Sequence, residues 1–417
     1  MSTQTVERVG LRQALDVAWA NRSARALMLV HAVDCVGNGI YFATFALYLN
    51  RHLHLGPAVV GALLAAGSFV GLFASLLVGR WADRRSPRQI LTVLLSALGL
   101  SFVALPLRSS VLWVGAFCVV SSVLHICCPA PFVSLIGQSF QPRYRQAGRS
   151  LIRSVGNISM AAGSAVAAVG LSVNMQAFLP ISPVLDGLTF LAAAALLRLV
   201  TVGAAAPPPS QATRSDPRHA LRQRGMAGFV AATAVMGLHS TLLATGVPLW
   251  ISYSHAMPGW SIPVLIGLNT LLVFAFQVSA SQRAGASFGA ALRWSRLAAL
   301  SIAGGALLIF FGGRGTLAWL LIVVAFVLFT LAELWQNGSF FHFSFAIATD
   351  SQRAEYASAL HVSQVLESTL GPLLVGVAMA GLDAGAWPII CGLMAVSALA
   401  YPAVGARVRY LFPEEPS

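Results

Sequence analysis

The sequence predicts an all-α membrane protein, with twelve transmembrane helices in two pseudo-symmetric six-helix bundles and both termini cytoplasmic. Three observations predict it. Of 417 residues, 57% are apolar and only 9% charged, against roughly 25% charged in soluble domains, so the chain cannot cover its surface against water. Apolar runs of about 20 residues, the length that crosses a hydrocarbon core, recur from one end to the other. All 26 basic residues are arginine, and they gather on alternate sides of those runs.

The N-terminal segment, 1–25, shows no basic start followed by a short apolar core and a cleavage site, so it reads as uncleaved; Glu7–Ala20 reads as an amphipathic surface helix. The first bundle, 26–202, holds spans at Ala26–Leu49, Pro57–Val78, Gln89–Leu107, Ser110–Gly137, Gly148–Leu171 and Leu179–Val202. A break in composition follows over 203–225, where Pro207, Pro208 and Pro209 precede four arginines, and it reads as a cytoplasmic linker. The second bundle, 226–406, holds spans at Met226–Ile251, Ser261–Ala280, Ala290–Gly312, Gly315–Ile347, Ala357–Leu382 and Trp387–Ala406, before a cytoplasmic tail at 407–417.

Orientation follows from the arginines, because loops rich in basic residues stay inside. With the N-terminus inside, only Arg51, Arg108 and Arg314 fall outside. Trp113, Trp250, Trp260, Trp319 and Trp387 then lie near the outer ends, as an interfacial aromatic belt requires. The positive charge is topological and implies no nucleic acid partner. A weak internal repeat agrees with the midpoint linker. Shifting the chain by 208 residues sets His125 on Glu333 and Gly163 on Gly371, and a shift of 202 sets Leu47 on Leu249. Such duplication is common among secondary transporters.

The loop between spans two and three reads Gly79-Arg80-Trp81-Ala82-Asp83-Arg84-Arg85-Ser86-Pro87-Arg88. It resembles the signature loop of the major facilitator superfamily, matching it at Gly79, Ala82, Asp83, Arg84 and Arg88 and departing at Trp81, Ser86 and Pro87. The resemblance implies the facilitator fold, and implies that Asp83 and Arg84 help latch the cytoplasmic side. Arg145–Asn157 is similar to the start of the fifth span of bacterial drug exporters. Here, however, Gly163 is followed by Ser164 where antiporters carry Gly-Pro, and span four lacks the family's embedded arginine. The implied setting is a bacterial cytoplasmic membrane.

Ionisable groups at membrane depth are expensive and mark function by default. Asp34, flanked by Gly37 and Gly39, Glu333, beside Gln336 and Asn337, and Glu367, before Gly371-Pro372, are the candidate proton-coupling groups. Tyr41, His125, Met236, His239, Trp335, Gln336 and Asn337 are candidate cavity-lining residues, and Asp186, read as near an outer helix end, suits a cap or anchor. With no arginine at mid-membrane, the expected cargo is a neutral or cationic amphiphile (drug, antibiotic or secondary metabolite) exported against protons. Uptake of a nutrient is the alternative, and a membrane sensor or enzyme a distant third. No His-Glu-x-x-His, phosphate loop or Gly-x-Ser-x-Gly is present, so no catalytic chemistry and no cofactor are expected. Cys35, Cys118, Cys127, Cys128 and Cys391 lie in apolar runs without metal spacing to a histidine pair, and no metal is expected. The expected partners are a small-molecule substrate, protons and lipid, with the chain acting as a monomer.

Overall fold

In hydrocarbon a backbone N–H or C=O finds no water, so a crossing segment must satisfy its own groups as a helix. The computed structural model describes residues 19–82, 86–140, 145–200, 217–254, 257–312, 317–345 and 350–411, and its apolar runs are helices throughout. Helix α1 (Arg22–Leu47) continues into a π turn at Tyr48–His52. Its cap is Asn21, whose Oδ1 accepts from Ser23 N at 2.9 Å while its Nδ2 donates to the Ser139 carbonyl at 2.8 Å. One side chain thus starts α1 and ties it to the end of span four.

Helices α2 (Pro57–Ala82) and α3 (Pro87–Ala104) follow, α3 capped by Ser86 with Pro87 at its first position. Span four is two helices, α4 (Val111–Cys127) and α5 (Pro129–Ser139), broken at Cys128 by the proline that follows it. Spans five and six run together in α6 (Arg145–Leu196), which leaves the helical region at Asn174 (φ −155°, ψ 92°). Asn174 Oδ1 accepts from Ala177 N at 3.0 Å, restarting the helix as a cap would.

Past the short α7 (Pro217–Arg222), span seven is broken into α8 (Met226–Met236), α9 (Leu238–Thr241), a π stretch at Leu242–Gly246 and α10 (Val247–Ser254). The remaining helices are α11 (Ser261–Ala284), α12 (Phe288–Gly312), α13 (Ala318–Phe345), α14 (Asp350–Leu382) and α15 (Ala386–Ala406). Among the described residues nine helices are long and apolar enough to cross a membrane, and Pro57–Gly71 and Ser261–Gln277 are shorter apolar helices. They are counted as nine and not twelve because α6 counts once and α2 and α11 are not among the nine.

In one half α1 packs along α6, and α3 packs on α6; in the other α12 packs on α13 and α15. The halves meet where α2 lies on α14 and α11 on α6. Large apolar side chains such as Leu112 (85% exposed), Val173 (80%) and Phe311 (77%) point outwards, an exposure that lipid and not water accommodates. The aromatic belt needs correcting. Trp250 and Trp387 are fully buried and pack edge to face at 6.0 Å, as core, while Trp260 and Trp319 sit exposed with rings 5.6 Å apart. Asp186 also needs correcting. The helix that bears it begins at Asn174, one turn earlier than the sequence shows, so the carboxyl is fully buried against Gly37 of α1 and not at an end.

The α1–α6 crossing depends on absent side chains. A Cβ on Gly163 would overlap the Val36 carbonyl, and one on Gly39 the Met160 carbonyl. Because neither backbone can yield alone, Gly163→Leu is expected to cost at least the ~1–3 kcal/mol typical of overpacking. The measurement is thermal unfolding in detergent followed by size-exclusion elution, with the variant melting lower or eluting as aggregate.

Candidate functional site

Among the described residues, three cavities between the helices bear on the candidate residues, and the first is the largest of these three. The first, about 540 Å³, is lined by Glu333, Gln336 and Asn337 of α13, by Gln364 and Glu367 of α14, and by His239 and Ser240 of α9. The second, about 290 Å³, is lined from both halves, by Tyr41, Phe42 and Phe45 of α1 and by Thr241 and Glu367 opposite. Glu367 and Ser240 belong to both.

Each acid holds a defined partner. Glu333 Oε2 accepts from Asn269 Nδ2 of α11 at 2.8 Å. Glu367 Oε1 accepts from Ser240 Oγ at 2.7 Å and also from Thr241 Oγ1. These hydroxyls sit where span seven leaves α-helical geometry, so the acid of α14 grips the irregular part of the neighbouring span. Glycine makes the approach possible. A Cβ on Gly237 would come within 3.0 Å of Glu367 Cγ, and one on Gly371 would overlap Thr241 Oγ1. π turns and broken helices recur at functional positions.

The third cavity, about 270 Å³, belongs to the N-terminal half and is lined by His31, Asp34, Asn38, His125, Cys128 and Phe132, among others. Asp34 is therefore apart from the two glutamates. The predicted residues divide accordingly. Glu333, Glu367, His239, Gln336 and Asn337 share the largest cavity; Tyr41 lines the second, and Asp34 and His125 the third. Met236 is buried core and lines none of the three. Trp335 packs its ring 5.3 Å from Trp294 and lines none either.

Of the signature loop, Gly79 lies within α2 and Arg88 donates to the Arg198 carbonyl at 3.2 Å; Asp83 and Arg84 lie outside the described residues. Sequence reasoning missed Asn269, Ser240 and Thr241, since lone hydroxyls and amides in apolar helices are common and carry no distinguishing signal.

At the arginine-poor end the halves are joined by side-chain hydrogen bonds. Ser252 Oγ donates to Asn50 Oδ1 at 2.6 Å and Arg51 Nε to Ser252 Oγ at 3.3 Å. Close by, Gly61 of α2 lies against Pro372 and Gly376 of α14.

The fold matches solved transporters of several kinds. It is similar to a nucleoside transporter, NupG, at 13% identity and a TM-score of 0.76, covering 91% of this chain and 98% of that one. It is similar to a peptide transporter, POT, at 13% identity and a TM-score of 0.74, covering 96% and 99%. A bacterial homolog of the human lysosomal transporter Spinster, in an inward-facing and occupied conformation, aligns at 16% identity with a TM-score of 0.62 over 93% of each chain. No curated protein sequence matches. The sequence model of the Major Facilitator Superfamily matches residues 27–372. The chain therefore belongs to the Major Facilitator Superfamily and is a multi-pass membrane transporter of a small-molecule substrate, not an enzyme.

Proposed function

We propose that this chain is a proton-coupled exporter of a neutral or cationic amphipathic small molecule, working by alternating access across a bacterial cytoplasmic membrane. The observation that carries the reading is the lining of the largest cavity, which combines two carboxylates with amides and hydroxyls and has no arginine among its described residues. Its volume falls within the ~300–1,000 Å³ of small-molecule sites. An ionised carboxylate favours a cation, and its protonation removes that attraction and the cost of holding a charge away from water. A proton and a substrate that favour different conformations shift the balance between them.

The geometry also supports two six-span halves. The bend at Asn174 divides α6 into two crossings. Asn50 and Ser252, which bond to each other, stand 202 residues apart, the offset of the weak repeat. Partners related by that offset and touching each other are what an axis of pseudo-symmetry passing between them produces. Gly163 presses on Val36 of the first span, and its repeat mate Gly371 presses on Thr241 of the seventh.

A second reading, uptake of a polar solute, draws on the nucleoside and peptide transporters among the similar structures. Solute added outside proton-tight cells alkalinises the medium under uptake by symport and acidifies it under exchange. For the coupling itself, Glu333→Gln is expected to slow export driven by a pH gradient at least about tenfold, or ~1.4 kcal/mol, measured as uptake of an externally added fluorescent cationic substrate into inside-out vesicles with an acidic lumen. Export at the wild-type rate in both Glu333→Gln and Glu367→Gln would falsify the carboxylate mechanism.

A further inference from the structure

The third cavity carries a cluster that the export reading leaves unused. His31, Asp34 and Cys35 stand at i, i+3 and i+4, the spacings that stack side chains on one helix face. His31 Nδ1 is 4.0 Å from Asp34 Oδ2 and 3.8 Å from Cys35 Sγ, and one donor atom from each residue lies within 4.8 Å of the other two. Gly156 of α6 clears the space beside them, since a Cβ there would come within 2.6 Å of His31 Nε2 and 3.1 Å of Cys35 Sγ. The side chains of His31 and Asp34 keep 23% and 22% of their exposure, so an ion can reach them from the cavity.

We propose that His31, Asp34 and Cys35 bind a divalent transition-metal ion of the zinc class. Imidazole nitrogen, carboxylate oxygen and thiolate sulfur are the donors such an ion takes, and its bonds of ~2.0–2.3 Å imply ligand separations of ~3.4–3.6 Å in a tetrahedron. The two separations from His31 exceed those by a few tenths of an ångström, and that between Asp34 and Cys35, within 4.8 Å, by up to about 1.2 Å, which side-chain rotation must close. Charge favours the site as well. A carboxylate, a thiolate and a neutral imidazole balance the ion's two positive charges, so the occupied site is neutral, as a group inside a membrane should be. On binding, the Cys35 S–H bond breaks, the proton leaves to water in the cavity, and the sulfur lone pair binds the metal.

This site goes beyond the export reading, and its test reads binding without transport. The full chain, purified in detergent and stripped with chelator, is titrated with Co²⁺ as a coloured stand-in for zinc. One ion per chain is expected, with a thiolate-to-cobalt charge-transfer band that Zn²⁺ displaces. Cys35→Ser should abolish the band, and His31→Gln and Asp34→Asn should weaken binding by about tenfold or more. Cys391→Ser, on α15, should leave binding unchanged. Because a first-span variant can fail to fold, the wild-type chain is also alkylated with and without Zn²⁺, and the Cys35 peptide is quantified by mass spectrometry. Zinc should slow its modification at least about tenfold. Absence of the band, its persistence in Cys35→Ser, or equal alkylation of Cys35 under both conditions would each overturn the site.

Discussion

Glu367→Gln is expected to abolish pH-driven export while leaving the chain folded. The glutamine carbonyl can still accept from Ser240 and Thr241, which both bond the same carboxylate oxygen in the native chain, so the link between α14 and the irregular part of span seven survives. What the substitution removes is the charge and the proton it exchanges. Transport driven by a pH gradient should fall at least about tenfold and lose its dependence on pH, while downhill equilibration of substrate persists. Glu367→Ala makes the contrast. It strands the buried Thr241 hydroxyl, at ~1–3 kcal/mol where water cannot replace the partner, while Ser240 Oγ keeps the Gly237 carbonyl, so it should lower the melting temperature as well as the rate. Glu367 outranks Glu333 here because it lines both central cavities and bonds the irregular part of span seven. Proteoliposomes with an imposed pH gradient, compared with the same vesicles at equal pH, separate coupling from passage. Equal loss in both conditions would mean that Glu367 shapes the cavity without carrying the proton.

The helical plan was legible because apolar length is a one-dimensional signal. The twelfth span read from the sequence begins at Trp387 where the helix begins at Ala386, and the ninth at Ala290 where it begins at Phe288. Interruptions inside a span were harder to see. Cys128-Pro129 breaks span four at a proline, which is a readable sign, but the π turn at Leu242–Gly246 has an ordinary apolar sequence. Burial was less legible still. Trp250 and Trp387 look like belt residues from their positions, yet a tryptophan near a helix end faces lipid or a neighbouring helix according to packing that only the tertiary structure sets. Asp186 was misplaced because the sixth span, read from Leu179, lies in a helix that has already restarted at Asn174.

The site was partly legible for a similar reason. Acids in apolar runs stand out singly, whereas the partners that give them a setting are common residues. Cys35 reads from the sequence as a buried apolar residue and His31 carries no signal of its own, because a cluster of three donor types on one turn matches no paired-histidine spacing.

Gly61→Val is expected to push the two halves apart at the arginine-poor end. The α2–α14 contact is backbone against backbone. A Cβ on Gly61 would overlap the Pro372 carbonyl and come within 3.1 Å of Gly376 Cα, and a Cβ on Gly376 would come within 2.5 Å of the Pro57 carbonyl. No rotamer relieves such a clash, so the helices must separate. The ~1–3 kcal/mol of an overpacked contact falls on the conformation that closes this end and on no other, which shifts the equilibrium between conformations by roughly 5–150-fold. Spin labels at His54 and Tyr253, both exposed residues at that end, report the opening as a longer separation, and the transport rate should fall because an alternating-access cycle must pass through this closed state. The same label pair in Gly385→Val is the control, since a Cβ at Gly385 approaches no atom closer than 3.6 Å. An unchanged distance distribution in Gly61→Val would show that the α2–α14 contact does not gate this end, and closure would then rest on the Asn50, Arg51 and Ser252 bonds.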